Sequence, residues 1–105
     1  MNDRRYIIRH ADQSVPNLLK VFPGVIIAGP RAIGKSTTAR RYARTVVSLD
    51  SRGQSAFFRS DPDAALLDLA EPVLFDEWQE VPDILGAIKR SIDLDYRPGR
   101  YIPYG

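Results

Sequence analysis

A chain of 105 residues, 44% apolar and 27% charged, has room for one small domain with a modest core. Fifteen basic against thirteen acidic residues leave a net charge of +2, which permits an anionic partner without demanding one. The absence of cysteine excludes disulfides and thiolate metal sites, and no apolar run is long enough to cross a bilayer. The opening MNDRRYIIRH lacks the apolar stretch of a secretory signal. The expectation is a cytoplasmic protein without membrane association. No basic run is long enough to argue for nucleic acid.

In chain order, Ser14 followed by Val15-Pro16 reads as a helix start, and Pro23-Gly24 as a break. Val25-Ile26-Ile27-Ala28 is a short β-branched run of the kind that forms a fully buried parallel strand. Beyond a glycine-rich stretch, Ala39, Tyr42, Ala43 and Val46 fall on one helical face, with Arg40, Arg41 and Arg44 on the solvated side. Thr45 to Leu49 reads as a second strand ending at Asp50. Residues 51–60 are expected to be irregular or a short helix. Asp61-Pro62-Asp63 opens a helix with a carboxylate cap and a proline in the first turn. Val73-Leu74-Phe75 is a third buried strand, ending in Asp76-Glu77. Pro82-Asp83 starts a helix with Ile84, Leu85, Ile88 and Ile92 on one face, and Arg97-Pro98-Gly99 is a turn. Strands alternating with helices imply an α/β domain with a mostly parallel sheet.

The glycine-rich stretch is GPRAIGKST, residues 29–37, a G-x-x-x-x-G-K-S/T pattern set between a strand and a helix. A polyphosphate needs many donors in a small space, and backbone N–H groups at such a turn supply them. Gly29 and Gly34 allow close backbone approach, and Pro30 shapes the loop without donating. The N–H groups from Ala32 and Ile33 through Thr37 converge on the phosphates in this reading. Lys35 reaches the β- and γ-phosphates, the Ser36 hydroxyl takes Mg²⁺, and Arg31 is within the loop. In VLFDE, residues 73–77, the expected roles are Asp76 in the metal shell and Glu77 on the attacking water. Trp78 is read as a packing residue and His10 as having a surface or locally bonded role rather than a catalytic one. An arginine finger would come from Arg52, Arg59, Arg97 or Arg100.

GPRAIGKST together with DEWQEVPDIL, residues 76–85, resembles the ATP-binding domain of a prokaryotic AAA-type ATPase family that carries a C-terminal domain of unknown function. Gly29, Pro30, Arg31, Gly34, Lys35 and Ser36 match its loop. Asp76, Glu77, Gln79 and Pro82 match its D-E-h-Q-x-x-P segment (h apolar), with Trp78 at the apolar position. The resemblance implies a P-loop NTPase-type three-layer sandwich, ATP and Mg²⁺ as ligands, and Lys35 and Glu77 as catalytic residues. It also implies a central strand of the type G-R-F-h-L-T-G-S with a polar residue that senses the γ-phosphate. This chain instead reads Gly99-Arg100-Tyr101-Ile102-Pro103-Tyr104-Gly105, and proline removes a ladder hydrogen bond from a central strand. The sequence expectation is therefore a single truncated domain over residues 1–105. Its sheet is incomplete at the C-terminus, it lacks sensor, lid and C-terminal domain, and its hydrolysis is weak or absent. Two alternatives stand beside it: a non-catalytic nucleotide-binding module that self-associates or pairs with a protein through an open sheet edge, and a small-molecule kinase.

Overall fold

The computed structural model of the chain describes residues 6–10, 15–28 and 40–105. Strand β1 spans Tyr6–His10, helix α1 Val15–Leu19 and strand β2 Gly24–Ala28. Strand β3 covers Thr45–Ser48, helix α2 Arg52–Ser60 and the single-turn helix α3 Pro62–Ala65. Strand β4 is Val73–Asp76, followed by a 3₁₀ turn at Trp78–Glu80, helix α4 at Asp83–Leu94 and strand β5 at Tyr101–Tyr104.

The five strands form one sheet in the order β1-β2-β5-β4-β3, parallel at every pairing. Side chains alternate between its faces, as the pleat requires. Val25, Ile27, Leu74 and Ile102 pack with Val15 and Leu19 of α1 on one face. Ile26, Val73, Phe75 and Tyr101 pack on the other against Phe58 of α2 and Ala65 of α3, and against Ile84, Ala87, Ile88 and Ile92 of α4. The strands read as unbroken apolar runs because both faces are covered. Ile84, Ile88 and Ile92 are each 0% exposed, and burying such a side chain contributes about 1.5–3 kcal/mol. The stripe at i, i+4 and i+8 therefore anchors α4 to the sheet.

The helix starts follow their caps. The Asp61 side chain accepts from the Ala64 N–H at 3.1 Å, with Pro62 in the first turn of α3. Residues 51–60 are a helix over most of their length rather than an irregular stretch. One helical assignment fails. Arg40 is the last helical residue before a turn, and Val46 lies in β3 rather than on a helix face. Thr45 through Ser48 pair residue by residue with Val73 through Asp76, and that ladder decides the conformation. Tyr42, Ala43 and Val46 still pack against one cluster, beside α1, so their shared burial was readable although their helicity was not.

The final strand corrects the expectation of an unfilled centre. β5 lies between β2 and β4 despite Pro103. In a parallel strand, residues i and i+2 direct their N–H groups to the same neighbour. Tyr101 donates to Pro23 at 3.0 Å and Gly105 donates to Ile27 at 3.1 Å, both toward β2. Pro103 stands between them, so one rung toward β2 is forgone. Toward β4 the register runs without a gap from Val73↔Tyr101 to Asp76↔Tyr104. The strand keeps its place because one missing rung costs about 0.5–1.5 kcal/mol, whereas Tyr101 and Ile102, 1% and 0% exposed, bury two large side chains.

Candidate functional site

Parallel pairing brings the carboxyl ends of the strands to one edge. Ser48, Asp76 and Tyr104 lie level across β3, β4 and β5. Tyr104 is level with Ile27, one residue before β2 ends at Ala28. Open α/β sheets bind ligands beyond this edge. GPRAIGKST begins immediately after β2. The residues assigned to phosphate and metal there, Gly29, Pro30, Arg31, Ala32, Ile33, Gly34, Lys35, Ser36 and Thr37, lie outside the described residues, as does Ser14.

Asp76 is the last residue of β4, and its side chain is 20% exposed. Arg40 Nη2 donates to Asp76 Oδ2 at 2.9 Å. Sequence reasoning placed Arg40 on a solvated helix face, and its side chain is indeed 42% exposed. What that reasoning missed is that Arg40 reaches the end of β4. The pairing spans 36 residues of sequence, and no local signal announces it.

Glu77 follows in the left-handed region, with φ 56° and ψ 51°. Such a conformation costs about 1–3 kcal/mol in a non-glycine residue and collects at functional sites. It swings the chain out of β4 into the 3₁₀ turn, where Glu80 N–H donates to the Glu77 carbonyl at 3.0 Å. Trp78 is half-buried against the α4 side of the core, as its packing assignment requires. Its Nε1 is buried without a hydrogen-bond partner among the described residues. Gln79 reaches from this turn to the end of β5. A Cβ on Gly105 would come within 2.7 Å of the Gln79 Cδ and Nε2, so glycine is what lets the carboxamide lie there. The turn after β4 and the residue after β5 thus meet at the same edge.

The four arginines considered as fingers separate. Arg100, 7% exposed, lies before β5 at the opposite, amino edge. All five of its N–H donors are used: Nε on Glu71 Oε2 at 2.9 Å, Nη1 on the Ser91 and Asp95 carbonyls at 2.8 Å, and Nη2 on Ser91 Oγ at 3.0 Å and the Tyr101 hydroxyl at 3.1 Å. Arg97 pairs with Glu71 and Asp95 beside it. Arg97 and Arg100 are thereby removed from the candidate site. Arg59 bonds Ser55 Oγ at 3.2 Å on α2 and lies 4.0 Å from Glu80, and Arg52 is exposed at the start of α2. Among the described residues, the shifted ionisations also lie elsewhere. The Arg90 guanidinium beside Asp63 lowers that carboxyl below its ordinary 3.8 through a hydrogen bond.

Among the described residues, no three His, Cys, Asp or Glu groups converge to hold a metal ion. Asp76 nevertheless suits Mg²⁺. It is a partly exposed carboxylate at the carboxyl edge of the sheet. Mg²⁺ is commonly bound by one or two carboxylates together with substrate phosphates and water. Among the described residues no helix is long and apolar enough to cross a membrane.

A parallel sheet with helices on both faces, with a glycine-rich sequence following β2 and Asp76-Glu77 at the end of β4, is an α/β fold consistent with a P-loop nucleotidase-like domain. The chain belongs to a family of AAA domains, whose model matches residues 22–105. Two uncharacterized proteins, from Mycobacterium bovis and Mycobacterium tuberculosis, are each 29% identical to it over 86 residues, covering 79% of this chain. The chain spans only 20% of the length of these curated relatives. No solved structure matches it. Membership of the family points to a nucleotide-binding, ATPase-like function.

Proposed function

We infer that this domain binds Mg-ATP at the carboxyl edge of its sheet and hydrolyses it weakly. The observation that carries the reading is the placement of Asp76. Its carboxylate ends β4, separated only by β5 from the strand that leads into GPRAIGKST. In this reading Gly29 to Thr37 cradle the phosphates, with Lys35 on the β- and γ-phosphates. Ser36 and Asp76 would hold Mg²⁺, which would offset charge on the phosphate oxygens. Glu77 orients a water for in-line attack on the γ-phosphorus and takes its proton, and ADP leaves as the β–γ bridging bond breaks. The adenine assignment rests on the family resemblance and on the lack of a guanine-reading N-K-x-D segment. Hydrolysis is expected to be weak because Pro103-Tyr104-Gly105 stands where the resemblance calls for Leu-Thr-Gly.

The alternative, a non-catalytic module that self-associates or pairs with a protein through an open sheet edge, would have to use an outer strand, because β5 lies between β2 and β4. Trp78, the only tryptophan, supplies the test. Titration with Mg-ATP is expected to give a saturable change in its fluorescence that Lys35→Ala abolishes. Calorimetry showing no Mg-ATP binding by the wild-type chain would overturn the reading.

A further inference from the structure

The ion pair between Arg40 and Asp76 has a consequence for metal loading, on the footing of the Mg-ATP reading above. Arg40 Nη2 occupies Asp76 Oδ2 at 2.9 Å, so the carboxylate assigned to the metal already has a counter-charge. A divalent cation arriving at Asp76 would lie beside the guanidinium, and repulsion between them rises as their separation falls. Both partners reach solvent, at 42% and 20% exposure, so the pair can open without unfolding the core. Its strength is that of an exposed ion pair rather than a buried one. We propose that Arg40 is a positioning residue that competes with Mg²⁺ for Asp76. It neutralises the carboxylate while no nucleotide is bound and gives it up when the Mg-nucleotide arrives. Metal engagement at Asp76 is thereby coupled to nucleotide arrival, because the phosphates bring the extra negative charge that lets Mg²⁺ displace the guanidinium.

The test compares ATP affinity in excess EDTA with ATP affinity in Mg²⁺, by calorimetry, for the wild-type chain, Arg40→Gln, Arg40→Lys and Asp76→Asn. The ratio of the two affinities measures what the metal adds. Arg40→Gln is expected to leave affinity in EDTA unchanged and to enlarge the Mg²⁺ increment about two- to fivefold, the range an exposed ion pair permits. Arg40→Lys should keep the wild-type ratio. Asp76→Asn should shrink the increment, and Arg40→Gln added to Asp76→Asn should then change nothing. Weaker ATP binding by Arg40→Gln in EDTA would make Arg40 a phosphate ligand and overturn the proposal. An unaltered ratio would reduce the pair to a surface contact and overturn it equally. A wild-type chain that binds no ATP in either buffer would instead overturn the functional reading, and this proposal with it.

Discussion

Glu77 carries the sharpest division of labour at the residue scale. Its left-handed backbone, φ 56°, is tolerated directly after Asp76, where the chain must leave β4 and turn. Glu77→Gln keeps the size and backbone and removes the carboxylate proposed as the base. Mg-ATP affinity is expected to stay within about twofold, while turnover falls by about 10²–10⁴, the usual contribution of a general base. A quench-flow or phosphate-release assay reads the difference, and unchanged turnover would assign the water to another group. Asp63 provides a check far from the site. Arg90 donates two hydrogen bonds to its carboxylate, at 2.9 and 3.0 Å, and holds its pKa below the ordinary 3.8. A depressed carboxyl favours the folded state above its unfolded pKa, and that contribution is lost as pH falls through the folded value. In Arg90→Ala, the Asp63 carboxyl resonance should titrate at higher pH, close to 3.8, and the stability difference from wild type should vanish as pH falls through the lower wild-type value. An unmoved midpoint would mean the pair is not formed in solution.

At the scale of elements, the two edges of the sheet have different duties. The amino edge is tied by Arg100, whose five donors join β5 to Glu71 before β4 and to the end of α4. A buried guanidinium is tolerated only when so completely bonded. Arg100→Ala leaves Glu71 with one partner fewer in a half-buried place, and breaking a buried pair costs about 3–5 kcal/mol. Chemical denaturation should register that loss, while the folded fraction that remains should bind nucleotide with wild-type affinity. A selective loss of binding without loss of stability would return Arg100 to the site. The carboxyl edge gathers Arg40 on Asp76, Glu77 in a left-handed turn and Gln79 against Gly105. Helix α4 was legible residue by residue, since the spacing of Ile84, Ile88 and Ile92 is itself the instruction to bury one face. Strand β5 was not, because local chemistry argued against Pro103, and only burial of its neighbours on both sheet faces outweighed the missing rung.

For the whole molecule, size sets the margin. A domain of this length gains little stability beyond what it needs, so a ligand that binds only the folded state should be conspicuous. Mg-ATP at about a hundred times its dissociation constant would add about 2.7 kcal/mol. At about 4–8 °C per kcal/mol, the melting temperature should rise by about 10–20 °C. Differential scanning fluorimetry with and without Mg-ATP reads this directly. Lys35→Ala should show no rise, and a rise equal to wild type in that variant would place the nucleotide elsewhere. The chain corresponds to 20% of the length of its mycobacterial relatives, so these values describe this chain alone.

The sequence by itself determined the alternation of buried strands and amphipathic helices, the caps at Asp61 and Pro82, and the end of β4 at Asp76, because each is written in residues within a few positions of one another. The phosphate-loop pattern is local in the same way. The tertiary structure alone decided that β5 fills the place between β2 and β4 despite Pro103, that Arg97 and Arg100 face the amino edge, and that Arg40 meets Asp76 across 36 residues. Strand order and cross-chain ion pairs depend on which surfaces lose water together when the whole chain packs, and periodicity within one segment carries no record of that.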